Sequence, residues 1–356
     1  MRIVFKVGSN LLQTHQGDID LRFIAKLAES IKELRNRGDE ALLVSSGAVL
    51  CGAKKLGYRE KPTELTFRQA LAGIGQAYLM HLYDTVFSNY GLTVAQVLLT
   101  NDVFRKGNED RFANARNTME KLLELGVVPV VNENDTVAVS ELIFGDNDFL
   151  SVYVSYMLRA DLLVILSTAG GLLDEKGKVI HEVEDTEKAF SLVKGTGSEF
   201  GSGGMRSKLE ATRLAVSIGI PVIITGKGED LVKLRELKTQ GTLFKPSKRR
   251  LGRKLKTIAM IEEPKGIVVV DEGAVEALRR GKSLLPAGVV RAEGSFSRGD
   301  VVSVMNPKGI VVAKGRANFS REEIERVKGL KGNDVKKVLG TTKEEVIHRD
   351  NLVVFQ

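Results

Sequence analysis

Apolar strand-like segments and amphipathic helix-like segments alternate through the first 244 residues of this 356-residue chain. Six short runs rich in Val, Ile and Leu are typical of buried parallel strands: 2–6, 41–45, 93–99, 127–131, 162–166 and 221–224. Helical periodicity fills 21–36, 67–87, 110–124, 148–158 and 205–218. This alternation predicts a three-layer α/β/α sandwich with a mostly parallel central sheet, in which ligands bind beyond the carboxyl ends of the strands.

The pattern changes after Phe244, where a basic segment begins. Beyond it lie four short β-like runs separated by turn signals, at 267–270, 289–292, 301–305 and 309–314. Such runs are typical of a small β-barrel-like module with one or two helices. We therefore predict three parts: an α/β domain over 1–244, a basic linker over 245–264 and a β-rich module over 265–356.

Positive charge is concentrated in the C-terminal third of the chain. The formal net charge is +8, and residues 245–260 hold seven Lys/Arg and no Asp/Glu. Residues 261–356 hold 17 Lys/Arg and 14 Asp/Glu, which leaves a net charge of −2 for residues 1–244. A surface that binds RNA is therefore expected only in the C-terminal part, where a solvated basic linker is an equally good interpretation.

Composition argues against several classes of protein. The single cysteine, Cys51, excludes internal disulfides and a cysteine-rich metal site. No apolar run approaches the roughly 18 residues that span a bilayer. The first residues resemble a strand more than a signal peptide. We therefore expect a cytoplasmic protein with no membrane partner.

Two glycine-containing motifs, nearly two hundred residues apart, each place flexible backbone beside a lysine. One is Lys6-Val7-Gly8-Ser9, at the end of the first predicted strand, and the other is Gly-Ser-Gly-Gly-Met-Arg-Ser-Lys over 201–208. Backbone N–H groups beside a cation suit a polyphosphate. The second motif is not a Walker A loop, because no Lys-Ser/Thr pair follows its last glycine. A chance strand turn and a mobile surface loop are the alternatives.

Four further motifs fall in loops after predicted strands. Ser45-Ser46-Gly47-Ala48 offers hydroxyl and N–H groups at a helix start, where an anion site and an ordinary cap are both plausible. Asn132-Glu133-Asn134-Asp135 and Gly145-Asp146-Asn147-Asp148 crowd carboxylates and amides into two adjacent loops. Since these carboxylates repel one another, the loops predict a site for an ammonium group or for phosphate-holding lysines, with Asx turns and caps as the alternative. Ser167-Thr168 is weaker evidence for a nucleoside pocket.

Taken in this order, the motifs resemble the amino acid kinase family over essentially the whole chain, and closely its glutamate 5-kinase branch. The pairing of Asn-Glu-Asn-Asp with Gly-Asp-Asn-Asp is specific within the family. Acetylglutamate, aspartate and uridylate kinases share the scaffold and the Gly-rich loop but lack this pair. The stretches 271–274, 283–288 and 296–299 resemble a PUA domain. The resemblance implies transfer of phosphate from ATP to the side-chain carboxylate of glutamate, the first step of proline synthesis.

The resemblance also implies roles for individual residues. Lys6 and Lys208 would neutralise the transferring phosphoryl group from opposite ends, and Asp148 would hold both lysines in place. Glutamate would be bound by Ser46, Asp135 and Asn147. The positions implied for ATP are Lys6, Ser167, Thr168, Ser202, Gly203, Gly204, Met205, Arg206, Ser207 and Lys208. The chain departs from the family at Ser167-Thr168, where Thr-Asp is frequent, and at Gly8-Ser9-Asn10, where Gly-Thr-Ser or Gly-Ser-Ser is frequent.

The implied reaction sets further expectations. A carboxylate acceptor with an ordinary pKa of about 4.3 is already ionised at neutral pH and requires no general base. Mg²⁺ is expected to arrive on the phosphates of ATP, without an assigned protein ligand. A homo-oligomer, inhibition by proline and contact with RNA through the PUA-like module are further expectations. The competing hypotheses are an RNA-binding protein with a regulatory or vestigial kinase fold and another acyl-phosphate kinase on the same scaffold.

Overall fold

The computed structural model describes residues 1–58, 63–137, 147–193, 204–247 and 251–355. The chain divides into two compact units, built mainly from residues 1–246 and from residues 247–356. The first unit carries a mostly parallel sheet and the second carries a separate sheet, so the predicted fold class is confirmed. No helix in the described part of the chain combines the length and apolar character needed to cross a membrane.

Eight strands form the sheet of the first unit, in the order β3-β4-β2-β1-β5-β7-β8-β6. Their bounds are β1 Arg2–Val7, β2 Glu40–Ser45, β3 Val94–Leu99, β4 Val128–Glu133, β5 Leu162–Leu166, β6 Glu182–Val183, β7 Val222–Thr225 and β8 Thr242–Phe244. Neighbouring strands pair in parallel except β7 and β8, which are antiparallel. The six strands predicted from apolar runs are all present, while β6 and β8, of two and three residues, were not predicted.

Seven helices accompany this sheet in the described residues: α1 Leu21–Asn36, α2 Ala48–Lys55, α3 Leu65–Ser88, α4 Glu109–Glu124, α5 Asn147–Met157, α6 Thr186–Leu192 and α7 Met205–Ser217. Side chains of β1 alternate between the two faces of the sheet. Ile3 and Phe5 join the core formed with α1 and α3. Lys6 lies on the opposite face and contacts α5. Helices therefore cover both faces, as a mostly parallel sheet requires.

Register brings the carboxyl ends of the central strands together. Lys6 pairs with Val44 of β2 and with Ile165 of β5. Val44 in turn pairs with Val131 of β4. The residues that follow these strands therefore meet at one edge of the sheet, where ligands bind in folds of this kind.

A five-stranded mixed sheet, in the order β10-β9-β11-β12-β13, organises the second unit. Its strands are β9 Gly266–Val270, β10 Val289–Gly294, β11 Val301–Met305, β12 Val311–Arg316 and β13 Leu352–Val354. Its helices in the described residues are α8 Arg253–Met260, α9 Glu272–Arg279, α10 Arg321–Val327 and α11 Gly332–Leu339. Helix α8 lies within the segment that we expected to be a linker. Lys314 of β12 donates to the Ala259 carbonyl of α8 (3.2 Å), and Arg316 pairs with Glu262 just beyond it (2.6 Å).

Candidate active site

A buried carboxylate lies between two lysines at the carboxyl edge of the first unit's sheet. Nζ of Lys6 is 2.7 Å from Oδ1 of Asp148, and Nζ of Lys208 is 3.2 Å from Oδ2 of the same residue. The side chains of Lys6 and Asp148 are 2% and 0% exposed, and that of Lys208 is 10% exposed. Two ammonium groups therefore share one carboxylate in a poorly hydrated place, where interactions between charges are strong.

Each member of this group comes from a different element. Lys6 is next to the last residue of β1, Asp148 is the second residue of α5, and Lys208 lies on the first turn of α7. A carboxylate in the first turn of a helix is stabilised by the helix dipole. A Cβ placed on Gly8 would lie 3.8 Å from Nζ of Lys6, so the glycine leaves the space beside that ammonium group open.

A chain of amide hydrogen bonds lies next to this group. Nδ2 of Asn147 donates both to Oγ of Ser46 (3.0 Å) and to Oδ1 of Asn132 (2.8 Å). Nδ2 of Asn132 donates to Oε1 of Gln76 (2.9 Å), and Nε2 of Gln76 donates to Oε1 of Gln96 (3.0 Å). Asn147 is the residue before Asp148, so the amide chain and the lysine pair are joined by a single peptide unit.

The Ser46 turn is fixed by backbone and packing. The N–H of Ser46 donates to the carbonyl of Val7 (2.9 Å), at the end of the neighbouring strand β1. Gly47 has a φ of +119°, and a Cβ there would lie 2.7 Å from Cδ1 of Leu12. Glycine is therefore required for the turn that leads into α2. Oγ of Ser45 shares a buried 2.8 Å hydrogen bond with the hydroxyl of Tyr83 on α3, which anchors the strand end.

A second carboxylate group lies at the end of β4, where Glu133 is the last residue of the strand. Burial of Glu133, and then the charge of the nearby Asp135, raise the pKa of the Glu133 carboxyl to about 7. A carboxyl group in this condition gains a proton near neutral pH unless a cation comes close. Glu133 and Asp135 together therefore favour binding of an ammonium group.

The turns that follow β5 and β7 lie at the same edge of the sheet. The N–H of Ser167 donates to the carbonyl of Thr225 (2.7 Å), and Oγ of Ser167 accepts from the N–H of Ala169 (3.4 Å). A Cβ on Gly226 would lie 3.3 Å from Cα of Gly170, so these two turns lie close together. Thr168 is exposed at the same turn.

Glu229 holds the loop that follows β7. Burial alone would raise its pKa, but hydrogen bonds from the Thr239 hydroxyl, the Gln240 N–H and the Thr225 hydroxyl outweigh burial and lower it. The three donors lie 2.6, 2.8 and 2.9 Å from Oε2 of Glu229. No sequence motif indicated this carboxylate. Glu229 holds Thr225, whose carbonyl accepts from the N–H of Ser167.

Comparison with known proteins places this arrangement in a family. The sequence profile described as "Amino acid kinase family" matches residues 1–226, and that of the PUA domain matches residues 266–339. The chain belongs to the amino acid kinase family. The relationship inferred from the sequence motifs is therefore confirmed.

Curated members of the amino acid kinase family match over the full chain. The sequence is 68% identical to a glutamate 5-kinase of Aquifex aeolicus, covering 100% of both chains. It is 41% identical to a glutamate 5-kinase of Caldanaerobacter subterraneus, covering 100% of this chain and 98% of that one. A solved carbamate kinase from Giardia lamblia bound to AMP-PNP shares the fold, with a TM-score of 0.51 at 15% identity over 69% of this chain and 98% of that chain.

The structure brings most of the predicted site residues to one edge of the sheet. Around Asp148 it joins Lys6 and Lys208 directly, and it links Asn147 to Ser46. Gly204 precedes α7, and Met205, Arg206, Ser207 and Lys208 form its first turn. The guanidinium of Arg206 is engaged by Glu210 on the same helix (3.2 Å). Ser202 and Gly203, like Gly145 and Asp146, lie outside the described residues.

Proposed function

We propose that this chain transfers the γ-phosphoryl group of ATP to the side-chain carboxylate of L-glutamate, giving L-glutamyl 5-phosphate in the first step of proline biosynthesis. Full-length relatives named glutamate 5-kinase support the substrate. The structural observation that carries the proposal is the buried carboxylate of Asp148 between the ammonium groups of Lys6 and Lys208. The two ammonium groups lie beside an amide chain suited to an amino acid.

In this proposal the chemistry is mainly charge placement. The attacking carboxylate and the phosphates of ATP are both anionic, so bringing them together is the main difficulty. Lys6 and Lys208 offset this repulsion as charge moves through the phosphoryl group, in a site where little water competes. Asp148 fixes the positions of both ammonium groups before the substrates arrive, which lowers the reorganisation needed during transfer.

Recognition of glutamate follows from the hydrogen bonds around Asn147. Both N–H groups of its amide are used on Ser46 and Asn132, so its carbonyl oxygen is the group that can accept from a substrate ammonium. Oγ of Ser46 accepts from Asn147, which leaves its hydroxyl hydrogen to donate to a substrate carboxylate. Asp135 supplies negative charge for the ammonium group. An α-amino acid with a second carboxylate fits this set.

ATP would lie on the turns after β5 and β7 and against the start of α7. In the proposal Ser167 and Thr168 line the nucleoside, and the 202–208 segment with Lys6 and Lys208 holds the phosphates. Mg²⁺ enters as part of the substrate, bound to the phosphates of ATP. Asp148 is poorly suited to ligate it, because each of its carboxylate oxygens already contacts a lysine.

The decisive experiment is a coupled ADP-release assay that compares L-glutamate, N-acetyl-L-glutamate and L-aspartate. We expect kcat/KM for glutamate to exceed the other two values by about 100-fold or more, which corresponds to about 2.7 kcal/mol. Acetylation removes the ammonium group that Asn147 and Asp135 would bind. Aspartate has a side chain one methylene shorter, so its carboxylate would lie farther from the lysines. Equal or better turnover of either analogue would overturn the assignment of glutamate.

The family resemblance adds three parts to the proposal. They are a cytoplasmic location, as for other enzymes of amino-acid synthesis, assembly into a homo-oligomer and inhibition by proline. Sedimentation of the purified chain tests the assembly. Turnover measured against increasing proline at a fixed glutamate concentration tests the inhibition, and an unchanged rate at millimolar proline would exclude it.

A second function, contact with structured RNA, is favoured by the basic character of the second unit. It has a cavity of about 320 Å³ lined in part by Arg298, Arg316 and Lys343. We expect the full chain to bind a structured RNA with an affinity that falls as salt rises, and Lys343→Ala to weaken binding about threefold. Lys188→Ala, on α6 of the first unit, is the matched control. Equal weakening by both variants, or binding insensitive to salt, would contradict this function.

A further inference from the structure

Gln76 lies on α3, outside every motif that the sequence analysis identified, yet its side chain reaches the candidate active site. The residue is 9% exposed, and its amide stands between two other amides. Oε1 of Gln76 accepts from Nδ2 of Asn132 (2.9 Å), and Nε2 of Gln76 donates to Oε1 of Gln96 (3.0 Å). Gln76 therefore interacts through Asn132 with Asn147, the proposed glutamate ligand.

The direction of these hydrogen bonds is set by one backbone group together with the carbonyl of Gln76. The N–H of Glu133 donates to Oδ1 of Asn132 (2.9 Å), and a backbone N–H can only donate. Oδ1 of Asn132 therefore faces Glu133 and Asn147, and its Nδ2 faces Gln76. The carbonyl of Gln76 completes this orientation by accepting from Nδ2.

The same direction continues into the site. Because Asn132 presents an oxygen, Asn147 has to present its Nδ2, which also donates to Oγ of Ser46. The carbonyl of Asn147 is thereby directed away from Asn132, and the hydroxyl hydrogen of Ser46 is directed away from Asn147. A rotated Asn132 amide would instead place N–H groups against N–H groups, and the donors and acceptors of the site would no longer be fixed.

We propose that Gln76 is a positioning residue for the amino-acid substrate: it holds the amide of Asn132 in the one orientation that turns the carbonyl of Asn147 and the hydroxyl of Ser46 toward the ligand. This inference rests on the proposed function, because it concerns how the same site binds glutamate. It predicts that the acceptor at position 76, rather than side-chain volume there, controls the affinity for glutamate.

Helix packing explains why Gln76 can act at this place. Its neighbour Gly75 lies so close to α2 that a Cβ would be 1.8 Å from the carbonyl oxygen of Ala48. A Cβ on Gly52 of α2 would lie 2.0 Å from the carbonyl oxygen of Leu71 on α3. The two helices are thus held at close contact beside the Ser46 turn, and the position of Gln76 relative to that turn is fixed.

The test compares Gln76→Met with Gln76→Glu. Methionine has a similar length but only a weak sulfur acceptor, so the N–H of Glu133 alone is left to hold the orientation of Asn132. We therefore expect KM for glutamate to rise about tenfold, with kcat and the KM for ATP changed less than threefold. A carboxylate still accepts from Nδ2 of Asn132, and the exposed Gln96 can rotate to donate to it. We therefore expect Gln76→Glu to keep KM for glutamate within about threefold of the wild-type value.

A purely structural role predicts the opposite order. Burying a charged group destabilises a protein more than an apolar residue of similar shape does, so Gln76→Glu would then be the more damaged variant. The rise in melting temperature that glutamate causes without ATP provides a second measurement, and we expect it to shrink in Gln76→Met and to persist in Gln76→Glu. Gln16→Met makes the same chemical change at an exposed position and should leave all values unchanged.

The outcomes distinguish failure of the proposed function from failure of the inference about Gln76. Wild-type protein that shows no glutamate-dependent ADP release overturns the proposed function and this inference with it. Active wild-type protein with an unchanged KM in Gln76→Met, or with Gln76→Glu impaired as much as Gln76→Met, overturns the inference alone.

Discussion

The ammonium group of Lys6 lies 2.7 Å from the carboxylate of Asp148, and both side chains are almost completely shielded from water. The two residues come from different elements of the first unit, one from a central strand and one from the first turn of α5. The second oxygen of Asp148 contacts Lys208. One carboxylate therefore determines the distance between two cations, which gives Asp148 a role that no exposed carboxylate can replace.

Removing the charge of Asp148 is expected to lower kcat about 100-fold, because the two lysines then repel each other and lose their common position. Asp148→Asn keeps the size of the side chain, so the effect reports charge and hydrogen bonding. Steady-state ADP release measures it. Asp84→Asn, at an exposed position of α3, should retain wild-type kcat. A kcat for Asp148→Asn within threefold of wild type would contradict the role.

Lys208→Met is expected to reduce kcat about 1000-fold while the fold remains intact. Asp148 keeps Lys6 as its ion-pair partner in this variant, so no buried charge is left uncompensated. Turnover and the circular dichroism melting curve should be measured together. Lys238→Met, whose side chain is 76% exposed in the wild-type protein, is the matched control. Near-normal turnover in Lys208→Met would show that this lysine does not take part in phosphoryl transfer.

Asp135→Ala is expected to raise KM for glutamate about tenfold or more with a smaller change in kcat, because a carboxylate near the substrate ammonium group is lost. The variant also removes the charge that helps to raise the pKa of Glu133. Initial rates over a range of glutamate concentrations test the prediction. An unchanged KM would place glutamate away from the loop after β4.

Glu133 should make stability depend on pH in the acid-to-neutral range. Burial, and then Asp135, raise its pKa from 4.5 to about 7 in the folded chain. Between these two values the folded state binds more protons than the unfolded state, so this group lowers stability as pH rises from about 4.5 to 7.

Glu133→Gln removes that dependence. At pH 8 we expect its free energy of unfolding to exceed that of wild type by up to about 2 kcal/mol, less than the full shift because the carboxyl is only partly shielded. At pH 4 the two proteins should be close to equal. Urea unfolding at both pH values measures the difference, with the exposed Glu175→Gln as control. The same difference in free energy of unfolding at pH 4 and pH 8 would argue against a raised pKa of Glu133.

Cys51 should not react with a thiol reagent in the native protein. The side chain is completely buried on α2, and burial raises its pKa to about 11. At pH 8 both access and the thiolate fraction are therefore low. We expect modification by a disulfide reagent only when urea unfolds the chain. Rapid labelling of the folded enzyme with loss of activity would show that the α2–α3 packing opens.

Sequence patterns were sufficient for the main sheet because the six predicted strands are short, mostly apolar runs, and four of them lead directly into a polar motif. The grouping of Lys6 and Lys208 around Asp148 was implied by the family resemblance, since Asp148 and Lys208 lie on helices α5 and α7 and not at strand ends. Strands β6 and β8 have only two and three residues and offer no such run. They pair because α/β connections bring them to the sheet, and local sequence does not show this.

Gln76 could not be predicted from the sequence for a different reason. Helix α3 is apolar around much of its circumference over 24 residues, so its periodicity does not show which face meets the site. The close approach of Gly75 to α2 sets that orientation, and it depends on contacts between distant segments. Glycine next to a polar residue inside a long apolar helix is the signal that would have indicated it.

Asn147 and Asp148 are consecutive residues, yet one faces the amide chain and the other faces the lysines. A helix advances about 1.5 Å and turns about 100° per residue, so inserting one residue between them would rotate the two functions out of alignment. The side chain of Asn147, in contrast, bonds only Ser46 and Asn132 in the hydrogen bonds described above, so its replacement removes no contact between Asp148 and the lysines. If the proposed roles hold, an ancestor could have exchanged one acceptor molecule for another through changes at the amide chain, while the group formed by Lys6, Asp148 and Lys208 stayed the same.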